Sequence, residues 1–110
     1  VPAFKLPAER VSKGKSKVGT FRLDRLKGER NIIMFYTEGC EICKAEKAAI
    51  RQMASQDRNL YVLFVNVDEI MREMPSVSES LFDSFDLSAL PYILEADRKG
   101  IVTRRYLSYR

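Results

Sequence analysis

The residues able to do chemistry in this chain are concentrated in one stretch, Phe35-Tyr36-Thr37-Glu38-Gly39-Cys40-Glu41-Ile42-Cys43-Lys44. It holds both of the chain's 2 cysteines, and the chain has no histidine. Three chemistries use a cysteine pair at this spacing. A structural zinc site wants four ligands and a catalytic one usually three plus water; without histidine, carboxylates or a second chain would have to complete it. As a structural staple the pair closes a tiny loop, which restrains the unfolded chain far less than a long one. A reactive dithiol has a positive mechanism. An apolar strand brings the chain to a turn, and Cys40 then falls at the N-terminal end of a helix. There the unpaired N–H groups and the helix dipole stabilise a thiolate. Cys43, one turn further in, is more shielded. Cys40 is therefore expected to attack and form a mixed disulfide, and Cys43 to resolve it by attacking the Cys40 sulfur. No metal and no cofactor is expected.

The elements that must position this pair follow from pattern. Asn31 to Tyr36 (NIIMFY) and Leu60 to Val67 (LYVLFVNV) are apolar runs with branched and aromatic members, the mark of strands covered on both faces. Between them, apolar residues at 42, 45, 49, 50 and 53 have helical spacing, with Lys44, Lys47 and Arg51 outside that set. Strand, helix, strand implies a right-handed crossover and two parallel strands. Asp68 to Pro75 reads as a connection. Ser76 or Ser78 is placed to cap a helix reaching about Phe85, with Leu81, Phe82 and Phe85 on its apolar face. Tyr92 to Ala96, the turn Asp97-Arg98-Lys99-Gly100 and Ile101 to Leu107 form a hairpin. The expected class is α/β, with a mixed central sheet and flanking helices.

The chain's 110 residues, 45% of them hydrophobic, suffice for one domain with a genuine core. No run is long and apolar enough to span a membrane as a helix. The net charge of +4 is uneven: residues 1–30 carry nine Lys or Arg against three acids, and residues 31–110 carry ten against twelve. Residues 1–17, with Pro2, Pro7 and a Ser/Gly/Lys cluster, read as a basic, irregular and solvated lead-in, and residues 18–110 as the folded domain. Val18 to Leu26 allows a short strand, followed by a turn at Lys27 to Arg30. The basic segment has no interleaved aromatics or reading motif, so nucleic acid is not an expected partner. The chain opens on Val1 rather than Met, which reads as a processed or excised piece.

An apolar strand ending FYTEGCEIC, an amphipathic helix, a second buried strand and Leu90-Pro91-Tyr92 before a hairpin together resemble the thioredoxin-like superfamily. The chain looks most like its bacterial extracytoplasmic TlpA/ResA-type thiol–disulfide oxidoreductases, over roughly residues 18–107. The resemblance implies that Pro91 is cis and packs beside the dithiol, leaving neighbouring backbone groups to bind an extended substrate segment. The sequence ends at Arg110, just beyond the last expected strand, so the family's usual C-terminal helix is expected to be lacking here. The face of the final hairpin would then be covered by the N-terminal segment, a partner such as a second copy, or the rest of a larger parent protein. Several positions depart from the pattern: Gly39 stands where thioredoxin has Trp, Glu41-Ile42 where it has Gly-Pro, and Met34 where a buried Asp often sits. Glu46, three residues after Cys43 and expected on a face with Ile42, Ala49 and Met53, is the carboxylate placed to take the proton of the shielded thiol. Glu41 beside Cys40 is expected to disfavour its thiolate, with Lys44 and Lys47 as the cations to offset that, so the direction of electron flow stays open.

The function implied is a protein thiol–disulfide oxidoreductase. Its partners would be a cysteine-containing protein substrate and an upstream thiol or disulfide redox partner. The resemblance favours the periplasm or cell envelope of a bacterium, with any membrane tether outside this chain. Two rivals remain: a thiol peroxidase, marked by sulfenate at Cys40, and a non-catalytic interaction module, in which loss of Cys40 changes little.

Overall fold

The computed structural model describes residues 2–106 of the chain. Six strands form one mixed sheet in the order β2-β1-β4-β3-β5-β6. They are β1 (Lys5–Ser12), β2 (Lys15–Arg22), β3 (Arg30–Tyr36), β4 (Leu60–Asn66), β5 (Tyr92–Asp97) and β6 (Val102–Tyr106), with helices α1 (Glu41–Gln56), α2 (Val67–Glu73) and α3 (Pro75–Ser84) between them. β3 and β4 are parallel, joined by α1 as expected, and the other pairings are antiparallel.

The two apolar runs are continuous because both faces of the central strands are covered. Ile33 and Phe35 of β3, with Tyr61, Leu63 and Val65 of β4, point into one core. That core also takes Val67 and Ile70 of α2, Leu81 of α3, and Phe85. The alternate residues Ile32 and Met34, with Leu60, Val62 and Phe64, point into the other core, against Cys43, Ile50 and Ala54 of α1. Side chains alternate across a strand, so each run feeds two cores at once.

The N-terminal segment departs from expectation. It is a β-hairpin, not an irregular arm: every residue of β1 pairs with one of β2, from Lys5↔Arg22 to Ser12↔Lys15. The two-residue turn has Lys13 at φ 53° and Gly14 at φ 73°, the pair of positive angles that suits a hairpin's twist. Pro7 is tolerated because β1 pairs with β4 only from Glu9 onward, so no N–H is wanted there from that side. The hairpin extends the sheet beside β4 and does not fold across the β5–β6 face. At the opposite edge Thr103, Arg104 and Arg105 of β6 are exposed. Leu107, expected to end β6, lies outside the described residues.

Two helix expectations are also corrected. Residues 68–75, expected as a connection, contain α2, whose N-cap Asn66 accepts hydrogen bonds from the Asp68 and Glu69 N–H groups. α3 starts at Pro75, earlier than expected, and Met74 occupies its N-cap without a side-chain bond. Proline suits a first helical position, where its missing N–H is no loss. Beneath the turn between β2 and β3, Asn31 is fully buried and satisfied: its amide nitrogen donates to the carbonyls of Gly28, Ala96 and Asp97, and its Oδ1 accepts from the Gly28 N–H.

Candidate active site

β3 ends at Tyr36, and three residues carry the chain to Cys40. Gly39 makes the final turn at φ 75°. A Cβ there would meet nothing within 4 Å, so glycine is wanted for conformation and not for space. The turn is tied to the neighbouring strand end. The Glu38 N–H donates to Asp68 Oδ2 at 3.0 Å, and Asn66 Nδ2 donates to Glu38 Oε1 at 3.1 Å. Sequence reasoning missed this brace together with α2. Its signal was Asn66 followed by Asp68 and Glu69, a capping residue before acids in a first turn.

Cys40 is the N-cap of α1. Its extended backbone (φ −93°, ψ 108°) leaves its side chain to serve the first turn, and the Cys43 N–H donates to Cys40 Sγ at 3.1 Å. The Lys44 N–H, 3.1 Å from the Cys40 carbonyl, makes the first intrahelical bond. Cys40 and Cys43 are joined in a disulfide, with Cα atoms 5.2 Å apart. Cys40 is half-buried and Cys43 is only 2% exposed, so Cys43 is the more shielded of the two.

The buried stripe of α1 differs from the expected one. It runs through Cys43, Glu46, Ile50 and Ala54, while Ile42 is 58% exposed and Ala45 and Ala49 also face solvent. The small alanines had suggested core by their spacing, but they cost little in water. Glu46 belongs to this buried stripe. It shares a stripe with Cys43 rather than with Ile42 and Ala49, one turn along, and is 4% exposed. Burying a carboxylate is costly, so its position on this stripe is a structural commitment.

Pro91 is buried just before β5, and the Leu90–Pro91 bond is cis. Tyr92 pairs with Phe35, so the register sets Pro91 at the end of β3 that leads into Cys40. Leu90 packs against both cores, bridging the rim of the sheet there. Met34, standing where a buried Asp often sits, is wholly buried in the same core as Cys43.

The cations expected to offset Glu41 divide. Lys44 lies 3.3 Å from Glu41 on the exposed face of α1. Lys47 instead reaches the Tyr36 hydroxyl at 3.2 Å and Glu9 at 3.6 Å, and stands over the Tyr36 ring at 4.4 Å from its centroid. A cavity of about 220 Å³ opens beside the pair, lined by Tyr36, Thr37, Glu38, Gly39, Cys43, Lys44 and Lys47. Further along α1, Arg51 clamps Glu9 with bonds of 2.7 and 2.9 Å, which fastens the N-terminal hairpin to the helix. The Arg51 hydrogen bond holds the Glu9 carboxyl down at about 2, with Ser16 and Lys47 adding to the effect against the cost of burial. Among the described residues no cluster of three or more His, Cys, Asp or Glu could hold a metal ion, and no helix is long and apolar enough to cross a membrane.

A profile of the AhpC/TSA family matches residues 1–110. No curated protein matches the chain. Among solved structures, thioredoxin-2 of the malaria parasite is 19% identical with a TM-score of 0.61, covering 84% of this chain and 78% of that one. Oxidised mitochondrial thioredoxin 3 of Saccharomyces cerevisiae is 15% identical at TM-score 0.56, covering 76% and 69%. Oxidised thioredoxin O2 of Arabidopsis thaliana is 13% identical at TM-score 0.61, covering 80% and 72%. At such identities the likeness shows a thioredoxin-like fold.

Proposed function

The chain belongs to the AhpC/TSA family, and we propose that it is a thiol–disulfide oxidoreductase with Cys40 as the attacking thiolate and Cys43 as the resolving thiol. Family, fold and the disulfide-forming pair support thiol–disulfide redox activity. One observation carries the division of labour. The Cys43 N–H points at Cys40 Sγ from the open first turn of α1, with Cys40 half-buried and Cys43 beneath it. That N–H and the helix N-terminus favour negative charge on Cys40 once the disulfide is reduced.

In the reducing direction the Cys40 thiolate attacks one sulfur of a substrate disulfide. The substrate S–S bond breaks, the other substrate sulfur leaves as a thiolate, and the attacked sulfur stays in a mixed disulfide with Cys40. Cys43 then loses its proton and attacks Cys40 Sγ. The intramolecular disulfide forms, the second substrate thiolate leaves, and two electrons have passed from dithiol to substrate. In this reading Glu46, buried on the Cys43 stripe, accepts that proton. Backbone groups beside Pro91 are free of a proline N–H and suit an extended segment of a cysteine-containing protein. An upstream thiol donor restores the dithiol, and an oxidant would drive the same steps backward. Cell-envelope placement rests on the TlpA/ResA resemblance alone.

Membership of the AhpC/TSA family favours one second reading, in which a peroxide oxidises the Cys40 thiolate to a sulfenic acid. Cys43 then condenses with it to the same disulfide, releasing water. One experiment separates the two. Reduced Cys43→Ser protein is offered a protein disulfide and, separately, hydrogen peroxide, and each product is weighed. A mixed disulfide at Cys40 supports the proposal. Sulfenic acid at Cys40, with no protein adduct, favours the peroxidase. No reaction with either contradicts both.

A further inference from the structure

A cavity of about 360 Å³ lies at the end of the sheet away from the cysteines. Arg10, Lys13, Lys15, Lys27, Arg58 and Tyr61 line it with Ser12, and among the described residues no carboxylate does. Its cations come from separate pieces of chain: β1, the β1–β2 turn, the start of β2, the β2–β3 connection and the α1–β4 connection. Tyr61 stands opposite Asn31 near the start of β3, so the cavity and Cys40 are separated by about the length of a seven-residue strand, roughly 20 Å.

Strand alternation explains how so much charge collects unanswered. Glu9 points toward α1, where it takes Arg51 and Lys47. Arg10, the next residue, points to the opposite face, as do Ser12 and its partner Tyr61. Among the described residues none of the five lining cations has an ion-pair partner. Arg10 Nε is shielded from solvent without a hydrogen-bond acceptor, and the guanidinium lies 5.8 Å from the Phe21 ring centroid. A buried donor without an acceptor costs stability unless something supplies one. Lys13 adds to the cost, since it holds a lysine in left-handed backbone where Asn or Gly is at ease. The chain therefore concentrates like charge at a concave site, where an anion relieves the repulsion.

We propose that this cavity binds a small anion carrying two or more phosphate groups, free in solution or as a lipid headgroup. Arg10 would offer the planar fork that matches phosphate oxygens, Lys13, Lys15, Lys27 and Arg58 point charges, and the Ser12 and Tyr61 hydroxyls further donors. A single-stranded nucleic acid would want exposed aromatic platforms. Tyr61 is the one aromatic in the lining and is 5% exposed, which favours the small anion.

Inorganic tripolyphosphate is the first probe, titrated by calorimetry at about 0.15 M salt, where diffuse surface attraction is largely screened. The expected result is saturable one-to-one binding. Lys27→Gln and Arg58→Gln should each weaken it about 5-fold or more, while Arg72→Gln on α2, an equal loss of charge elsewhere, should change it less than about 2-fold. Vesicles of phosphatidylcholine with cardiolipin, whose headgroup carries two phosphates, identify the source. Vesicle binding displaced by tripolyphosphate assigns the site to a headgroup, and tripolyphosphate binding without vesicle binding assigns it to a free anion. No saturable tripolyphosphate binding, or binding that Lys27→Gln and Arg58→Gln leave unchanged, overturns the proposal.

Discussion

At the end of β3 that leads into Cys40, cations are engaged: Lys44 lies 3.3 Å from Glu41, and Lys47 3.2 Å from the Tyr36 hydroxyl and 3.6 Å from Glu9. At the other end Arg10, Lys13, Lys15, Lys27 and Arg58 gather round one cavity with no ion-pair partner among the described residues. The contrast teaches where each end directs its interactions. Near the cysteines, side chains and loop are committed to one another, through Glu38, Asn66 and Asp68 as well as the lysines. At the far end the lining cations have no carboxylate among the described residues to answer them, which is the ground of the anion-site proposal.

That contrast can be broken in five places. The largest effect should come from Cys40→Ser, which should reduce protein-disulfide reduction to the uncatalysed rate and leave tripolyphosphate binding untouched. Loss of both would mean that the two ends are coupled. Glu46→Gln should slow resolution of the mixed disulfide by roughly 10- to 100-fold with little change in the Cys40 attack, measured by stopped-flow across pH. Equal slowing of both steps would reduce Glu46 to a packing role. Gly28→Ala, at the far end, should cost about 1–3 kcal/mol by denaturant unfolding. A Cβ there would stand 2.6 Å from the Arg30 carbonyl oxygen and 2.8 Å from Tyr61 Cβ.

Smaller effects concern the tie between hairpin and helix. Glu9 is ordinarily a group of pKa 4.5 and is held at about 2 in the fold. Its lowered pKa stabilises the fold above the ordinary value, and that contribution is lost as pH falls from 4.5 toward about 2. Glu9→Gln should therefore lose about 1 kcal/mol at neutral pH, the clamp being partly screened by solvent, and show a flatter acid profile over that window. Lys13→Asn should raise stability by a few tenths of a kcal/mol, because asparagine suits left-handed backbone. A loss of stability instead would show that the Lys13 side chain supports the hairpin.

Much of the site was legible because its signals are local. The order strand, turn, Cys40, helix depends on neighbouring residues, and NIIMFY and LYVLFVN could be strands only if buried on both faces. The N-terminal hairpin was not legible for the same reason. Pro7 and the Ser/Gly/Lys cluster suggest a loop when read locally, and only pairing with β4 from Glu9 onward shows that Pro7 sits where no N–H is needed. The buried stripe of α1 was misjudged because alanine suits either side of a helix. What settles it is Cys43 and Glu46 packing over β3 and β4, a long-range fact. α2 was overlooked as a connection because it is only 7 residues long, although Asn66 with Asp68 and Glu69 marks its start.

The most direct test of the central claim equilibrates the protein with glutathione buffers of graded potential and counts free thiols after acid trapping. The account predicts one two-electron transition of the Cys40–Cys43 pair within the range of known dithiol proteins, between roughly −270 mV (thioredoxin) and −120 mV (DsbA). A pair that does not exchange with glutathione at any ratio would contradict it, and a non-catalytic binding module would then describe the chain better.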